Sequence, residues 1–424
     1  MDHHHEVRDP HERRRRIKSV VVLGIALALL VWFALDAESD TVTYVLGDRV
    51  SREFPPQELA AGPVAWGCVV VLAIAVVLAA LNLLRRQAVA VPVFIVSGLA
   101  FYLGFMVWEF RDQGGAFQAA ISNPLPGTVA IATPLILGAL AGVMCERAGV
   151  INIAIEGQFL AGAFFAAVFA SLVFDAYIGL VAAIVGGVLL AVLLALFGIN
   201  YQVNQVVVGV VLVAFAAGLT AFLNNQIPES GKWKEYLNQP PILEKIAIPG
   251  LSDIPIVGVA LFTQTALVYL MYVIIVLVPF VLYQTRWGLR VRSVGEHPKA
   301  ADTVGIRVNR IRWQAVLVGG GLAGLGGAYF TVGSSGSFDQ DISNGQGFIA
   351  LAAVIMGRWH PVGATLAAIF FGFMWNLQNQ VGLVGKVPPE FLGAAPYLAT
   401  IIAVAGFVGR VRPPAADGEP YVKG

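Results

Sequence analysis

Arg13-Arg14-Arg15-Arg16-Ile17-Lys18-Ser19-Val20-Val21-Val22-Leu23-Gly24-Ile25-Ala26-Leu27-Ala28-Leu29-Leu30-Val31-Trp32-Phe33-Ala34-Leu35 is a knot of positive charge followed by an unbroken apolar run. Crossing a bilayer takes roughly 20 mostly apolar residues, and basic residues stay on the cytoplasmic side. The stretch from Ser19 to Leu35 therefore predicts a first membrane span with the N-terminus inside. Leu35-Asp36-Ala37 lacks the small residues of a signal-peptide cleavage site, so the span is expected to be uncleaved.

Comparable runs recur at Val64–Leu84, Ala88–Trp108, Leu125–Cys145, Ile153–Phe174, Tyr177–Ile199, Gln205–Leu223, Ala266–Tyr283, Trp313–Val332, Ser337–Met356, Val362–Gln380 and Leu392–Val408. The expectation is an all-α polytopic membrane protein of about twelve helices, some of them broken or re-entrant. Alternating the spans from an inside start leaves seven of the 27 Lys and Arg residues outside (Arg49, Arg52, Arg111, Lys232, Lys234, Lys245 and Lys386) and the other 20 inside. That asymmetry predicts cytoplasmic N- and C-termini. Composition agrees: the chain is 58% hydrophobic and 12% charged, against roughly 45–50% and 25% in soluble domains. A net charge of +1 gives no reason to expect nucleic acid. Cys68 and Cys145 both sit in apolar runs and read as helix-packing residues.

Between the spans there is no room for a catalytic domain. The outer loops Asp36–Pro63 and Asn224–Thr263 are acidic or Pro-rich. No Walker loop is present, since Gly382-Leu383-Val384-Gly385-Lys386-Val387 lacks both the spacing and the hydroxyl. His3, His4, His5 and His11 belong to a polar tail that faces lipid headgroups. No nucleophile or metal set converges. Two short Gly-bearing turns, Glu146–Gly149 and Gly357–Pro361, are placed where non-helical backbone could line a translocation path or simply turn in the cytoplasm.

Glu156 is the one acid well inside a central span, where a charge costs about 2.5–3.5 kcal/mol at mid-bilayer. Asn152, four residues earlier, would share its helix face. Two readings stay open for the pair. Either they line a solute path, or Asn152 caps the helix and Glu156 answers its dipole. The polar cluster Asn200, Gln202, Asn204 and Gln205 could face the path but fits a cytoplasmic turn. The glycine run Gly319–Gly327 reads as close helix packing rather than a nucleotide loop.

The inside loop 284–312 is the most charge-dense stretch and holds Glu296-His297-Pro298-Lys299-Ala300-Ala301-Asp302-Thr303-Val304-Gly305-Ile306. Pro298 opens a helix of about two turns, the alanines continue it and Gly305 ends it in a left-handed cap. Such a helix is shaped to dock in a partner's groove. Its flanking residues Arg286, Arg290, Arg292, Arg307, Arg310 and Arg312 read as solvated or lipid-facing.

That run resembles the coupling loop by which permease subunits of ABC importers dock on their ATPase. Two further segments, Glu146–Gly157 and Gly347–Trp359, are similar to motifs of permeases for nucleoside and simple-sugar uptake, and the likeness runs from about Leu125 to Arg410. The resemblance implies a permease that moves nucleosides or related small polar solutes by alternating access across the cell (inner) membrane. It implies coupling to the ATPase through Glu296, Pro298, Ala300, Ala301 and Gly305, and a substrate path at Asn152 and Glu156. ATP and Mg would be bound by the partner ATPase, with no cofactor in this chain and no enzyme activity of its own. A second permease subunit, an extracytoplasmic solute-binding lipoprotein and membrane lipid complete the implied assembly. The expected division is 1–123 as basic tail plus three extra spans, 124–410 as permease core, and 411–424 as a cytoplasmic tail. A proton- or sodium-coupled carrier using Glu156 is the alternative.

Overall fold

The computed structural model of the chain describes residues 10–37, 41–45, 57–85, 87–110, 121–122, 124–227, 236–254, 257–382, 388–404 and 412–422. The histidine tail at His3–His5, Arg86, Arg410 and all of the outer-loop basic residues except Lys245 lie outside the described residues. The backbone divides into two compact units, 1–123 with 380–388, and 124–379 with 389–424.

The first unit holds α1 (Pro10–Asp36), α2 (Ala61–Ala80) and α3 (Gln87–Glu109), with β1 (Thr41–Val45) between antiparallel β2 (Gln57–Ala60) and parallel β3 (Ile121–Ser122). Its helices carry exposed Ile25, Trp32, Val70, Ile74, Ile95 and Leu99, so apolar surface faces outward as well as inward. Helices apolar all round are the form a bilayer selects. Phe33 stacks on Trp108 at 4.6 Å, and the Trp108 indole donates to Asp36 at 2.9 Å, which gives the ring's one polar group a partner.

The second unit contains α4 (Leu125–Glu146), α5 (Ile155–Val173), α6 (Ala176–Ala195), α7 (Gln205–Asn225), α8 (Val257–Phe262), α9 (Ala266–Gln284), α10 (Arg286–Glu296), α11 (Pro298–Thr303), α12 (Val308–Gly327), α13 (Gln346–Met356), α14 (Pro361–Val381) and α15 (Pro389–Val404). A two-stranded ribbon, β4 (Lys245–Ala247) with β5 (Thr263–Thr265), joins the ends of the segment between α7 and α9. Burial separates a core from a shell: α4, α5 and α12 are 83, 72 and 78% buried over their apolar windows, whereas α7 and α9 reach only 28 and 33%. The shell helices therefore turn most of their surface to lipid or to another chain.

Glycine sets the tightness of that core. A Cβ on Gly324 would land on the Ala183 carbonyl oxygen, and one on Gly162 would land on the carbonyl of Gly324 itself. The run from Gly319 to Gly327 is thus the surface on which α5 and α6 close against α12, as small-residue packing requires. Cys68 and Cys145 are buried free thiols.

Among the described residues, nine helices are long and apolar enough to cross a membrane. The other three of the twelve expected runs fall on α13, α14 and α15, which are not among those nine. One expected span is corrected: Ser337–Met356 is not a continuous helix. Its helical part is the 11-residue α13, and before it Gly336, Asp341, Asn344 and Gly345 all take left-handed backbone, which no helix accommodates. At its opposite flank α12 starts at Val308, five residues before the expected Trp313, because Arg312 is inside it rather than in a solvated loop. Arg312 is only 1% exposed.

Candidate functional site

Non-helical backbone in an apolar bundle has to satisfy its N–H groups from protein, because no water is there to do so. At the start of α13 the Gln346, Phe348 and Ile349 N–H groups bond to the Ser343 and Gly345 carbonyls, and Glu156 takes those of Gly345 and Gly347. Its Oε1 accepts from the Ser343 hydroxyl at 2.6 Å and from the Gly345 N–H at 2.9 Å, while Oε2 accepts from the Gly347 N–H at 2.6 Å. Glu156 itself lies in the first turn of α5. One carboxylate therefore sits between the N-termini of two helices, where both dipoles favour it. Gly347 permits the approach, since a Cβ there would fall 2.5 Å from the Glu156 Cα.

The far end of α13 is tied to α4. The Trp359 indole donates to the Glu146 carboxylate, and Arg147 Nε donates to the Trp359 carbonyl at 2.7 Å. The turn after α4 folds inward, with Ala148, Gly149 and Val150 buried and Gly149 at φ +82°. An 11-residue helix rises about 16 Å, so the two ties hold α13 at points about that far apart along its axis.

Asn152 departs from its expected position. Since α5 begins at Ile155, Asn152 lies in the non-helical approach and shares no helix face with Glu156. Neither does it cap, because Ala154 is the N-cap residue and no side chain bonds there. Its amide instead donates to Gln158 Oε1 at 3.1 Å and to the Cys145 sulfur at 3.5 Å, fully buried. Asn152 and Glu156 thus occupy neighbouring places with different partners. Of the polar cluster, Asn204 caps α7 through Val206 and Val207, Asn200 accepts from the Trp313 indole, and Gln205 accepts the Ile151 N–H at 2.8 Å. These are turn contacts, and the last braces the approach to Asn152.

A cavity of about 220 Å³ opens beside the α13 break, lined by Asn344, Ile349, Trp375, Gln378, Leu392, Gly393 and Tyr397. Its side-chain polar groups are two neutral amides, an indole N–H and a phenol, with no ionised side chain. None of these residues was singled out by the hydropathy reading. The available signal was the run Ser334-Ser335-Gly336-Ser337-Phe338-Asp339-Gln340-Asp341-Ile342-Ser343-Asn344-Gly345, whose composition is that of a loop.

On the side of the inner loop, the predicted helix forms as α11, with Pro298 at its first position and Gly305 at φ +83° ending it. Ala300, Lys299, Thr303 and Val304 face outward, whereas Ala301 is only 4% exposed and packs inward. Glu296 points back at the molecule, with its carboxylate 3.8 Å from Arg147. Among the described residues no group of His, Cys, Asp and Glu could hold a metal ion.

Residues 125–407 match the family model described as branched-chain amino acid transport system / permease component. The chain is 39% identical over 315 residues to the guanosine ABC transporter permease protein NupQ of Bacillus subtilis, covering 72% of this chain and 98% of that one. It is 40% identical over 312 residues to the nucleoside ABC transporter permease protein NupC of Lactococcus lactis, covering 69% and 94%. Identity to the glucose ABC transporter permease protein TsgB13 of Haloferax volcanii is 31% over 273 residues, covering 61% and 70%. No solved structure matches. Apolar helices in this number, a family match over most of the chain and a likeness that extends over nearly the whole of two permeases place the chain in the permease-component family, as the membrane-spanning subunit of an ABC importer.

Proposed function

We propose that the solute is a nucleoside, imported by alternating access. The observation that carries this is the likeness at about 40% to two permeases named for guanosine and nucleosides, over 94% or more of their length, against 33% and 31% to two named for glucose, although two further nucleoside permeases stand at 28% and 24%. The cavity at the α13 break supports it. A neutral purine or pyrimidine ring needs a flat apolar surface and amide donors and acceptors, which Trp375, Asn344 and Gln378 supply. At about 220 Å³ the cavity is smaller than the roughly 300–1,000 Å³ of a closed ligand pocket, and Tyr397 is 56% exposed on its rim. A second permease subunit closes it in this reading. Glu156 serves the path by holding the break in shape, and Asn152 by fixing the approach to it.

Energy comes from a cytoplasmic ATPase that binds ATP and Mg and docks on the outward face of α11, while an extracytoplasmic lipoprotein delivers the solute. Glu296, Pro298, Ala301 and Gly305 shape that helix, and Ala300 presents its surface. Both termini are cytoplasmic, in the cell membrane. The carrier alternative finds no support, since three donors occupy the two oxygens of Glu156.

The test is uptake by the complete transporter reconstituted in vesicles with the ATPase sites inside and ATP enclosed. Labelled guanosine or adenosine should accumulate with ATP hydrolysis and be competed by other nucleosides. Accumulation of glucose with no nucleoside uptake, or uptake driven by a proton gradient without ATP, overturns it.

A further inference from the structure

The C-terminal residues 412–422 lie beyond the family match, which ends at 407. As a tail free in water they would leave their backbone groups to solvent, but instead they run across the docking end of the second unit and bond to a different element at nearly every step. The Ala415 N–H donates to Glu296 Oε2 at 3.3 Å, and the Ala416 N–H to the Gly295 carbonyl at 2.8 Å. Two residues on, the Gly418 N–H donates to the Gly149 carbonyl at 3.3 Å. The Glu419 carbonyl accepts from Arg312 at 2.8 Å, and the Tyr421 carbonyl from Gln202 at 3.4 Å. The Tyr421 hydroxyl is close enough to the Asp302 carboxylate on α11 to feel its charge.

Two of these contacts face each other across the segment. Gly295 ends the approach to α11 and Gly149 ends the inward turn after α4. The two stretches already touch, since a Cβ on Gly295 would strike the Arg147 carbonyl. What side-chain bonding joins them directly is the Arg147–Glu296 pair at 3.8 Å, with side chains 20 and 48% exposed, and exposed pairs at that separation hold little. The segment adds a staple with one leg on each glycine. It is fitted closely: a Cβ on Gly149 would fall 2.8 Å from the Ala416 carbonyl oxygen, and Gly418 takes φ +77° with Ile151 at its back. Arg312, buried on α12, is held to the staple through Glu419.

We propose that residues 412–422 are a transmission strap that makes α11 and the α4–α5 turn move as one body, so that displacement of α11 by the ATPase reaches Asn152 and Glu156 at the α13 break. This rests on α11 being the docking element. The strap touches neither solute cavity nor the outward face of α11, so its residues are positioning residues.

The experiment uses the full transporter with its ATPase, partner permease and lipoprotein, carrying a chain truncated after Arg412, or Gly418→Val, or Tyr421→Phe. Complex assembly, ATP hydrolysis and solute uptake are measured together. In the truncation and in Gly418→Val the ATPase should remain bound and hydrolyse ATP, the KM for solute should hold, and solute moved per ATP should fall about tenfold, inside the roughly 5–150-fold range usual for coupling between sites. Tyr421→Phe should lower the same ratio to a smaller extent. An unchanged ratio in an assembled complex overturns the strap, and so does release of the ATPase, which would make the segment part of the dock. If the truncated chain fails to fold, the ratios of the two point variants decide. Ala300→Asp is the parallel control: an ATPase still bound to it refutes α11 as the dock, a failure distinct from that of the strap.

Discussion

Replacing Glu156 by Gln keeps the side chain's length and one carbonyl oxygen, but puts an NH2 group where the other oxygen stood. With the carbonyl in place of Oε1 the new donors face the Gly347 N–H, and with the amide reversed they face the Gly345 N–H, because only the Ser343 hydroxyl can turn to accept. Either way one buried backbone donor is left unpaired, at about 1–3 kcal/mol. The lost charge between the N-termini of α5 and α13 adds about 0.3–2 kcal/mol. The expected destabilisation is therefore about 1–5 kcal/mol, a sizeable part of the roughly 5–15 kcal/mol that holds a domain folded. Thermal unfolding of the purified chain in detergent reads it, and Ser343→Ala combined with Glu156→Gln should show non-additivity because the two share a bond. Uptake should weaken along with stability, since Asn344 adjoins the capped residue. A melting temperature equal to wild type would refute the capping argument. If uptake were lost at the same time, Glu156 would be a solute contact and nothing more.

Ala300→Asp should abolish ATPase association with folding intact, whereas Ala301→Asp, placed in the packed face of α11, should lower the melting temperature; equal folding of both contradicts the assigned faces. Gly305→Pro should unwind the end of α11, because proline cannot reach φ +83° and lacks the N–H that bonds to Asp302, and uptake at wild-type rates would remove that cap from the mechanism. Gly324→Val should cost about 1–3 kcal/mol through overpacking against Ala183, and a stable, fully active variant would show that α6 and α12 are not held so closely. For topology, Lys245→Cys should react with an impermeant thiol reagent on intact cells and Lys299→Cys only after permeabilisation, the reverse pattern inverting the assigned orientation.

The spans were legible because lipid imposes them locally: a bilayer-crossing helix must be apolar over its whole length, and each run announces itself without reference to the rest of the chain. Helix α11 was legible for a similar reason, since Pro298 and Gly305 fix its ends by backbone geometry alone. The α13 break was not, although Ser, Asp, Asn and Gly crowd residues 334–345. Hydropathy over a whole span averages that run with the apolar 347–356 that follows, and only the distant Glu156 makes a helix start possible there. Arg312 and Asn152 failed in the same way. Each reads as solvated or capping by its neighbours in sequence, yet Arg312 is buried by a carbonyl 107 residues later and Asn152 by an amide on the next helix. The strap has neither periodicity nor a span, and nearly all of its bonds run through its backbone, which composition does not encode.

The position of Glu156 follows from these constraints taken together. A helix that starts inside a bundle presents N–H groups and the positive end of its dipole to its neighbours, and buried Gly347 needs an acceptor from protein. A cap from its own preceding loop, such as Ser343 alone, would satisfy the hydrogen bonds but leave α13 free to move independently of the bundle. A carboxylate from the first turn of α5 satisfies the same groups and also ties the starts of two helices together. The second tie, Trp359 to Glu146, fixes the other end of α13 to α4. Both ties land on the two sides of one inward-folded segment, 147–154, which Gln205 and the C-terminal strap brace from outside. Anything that displaces this segment must therefore shift both ends of α13 and the wall of the neutral cavity beside it.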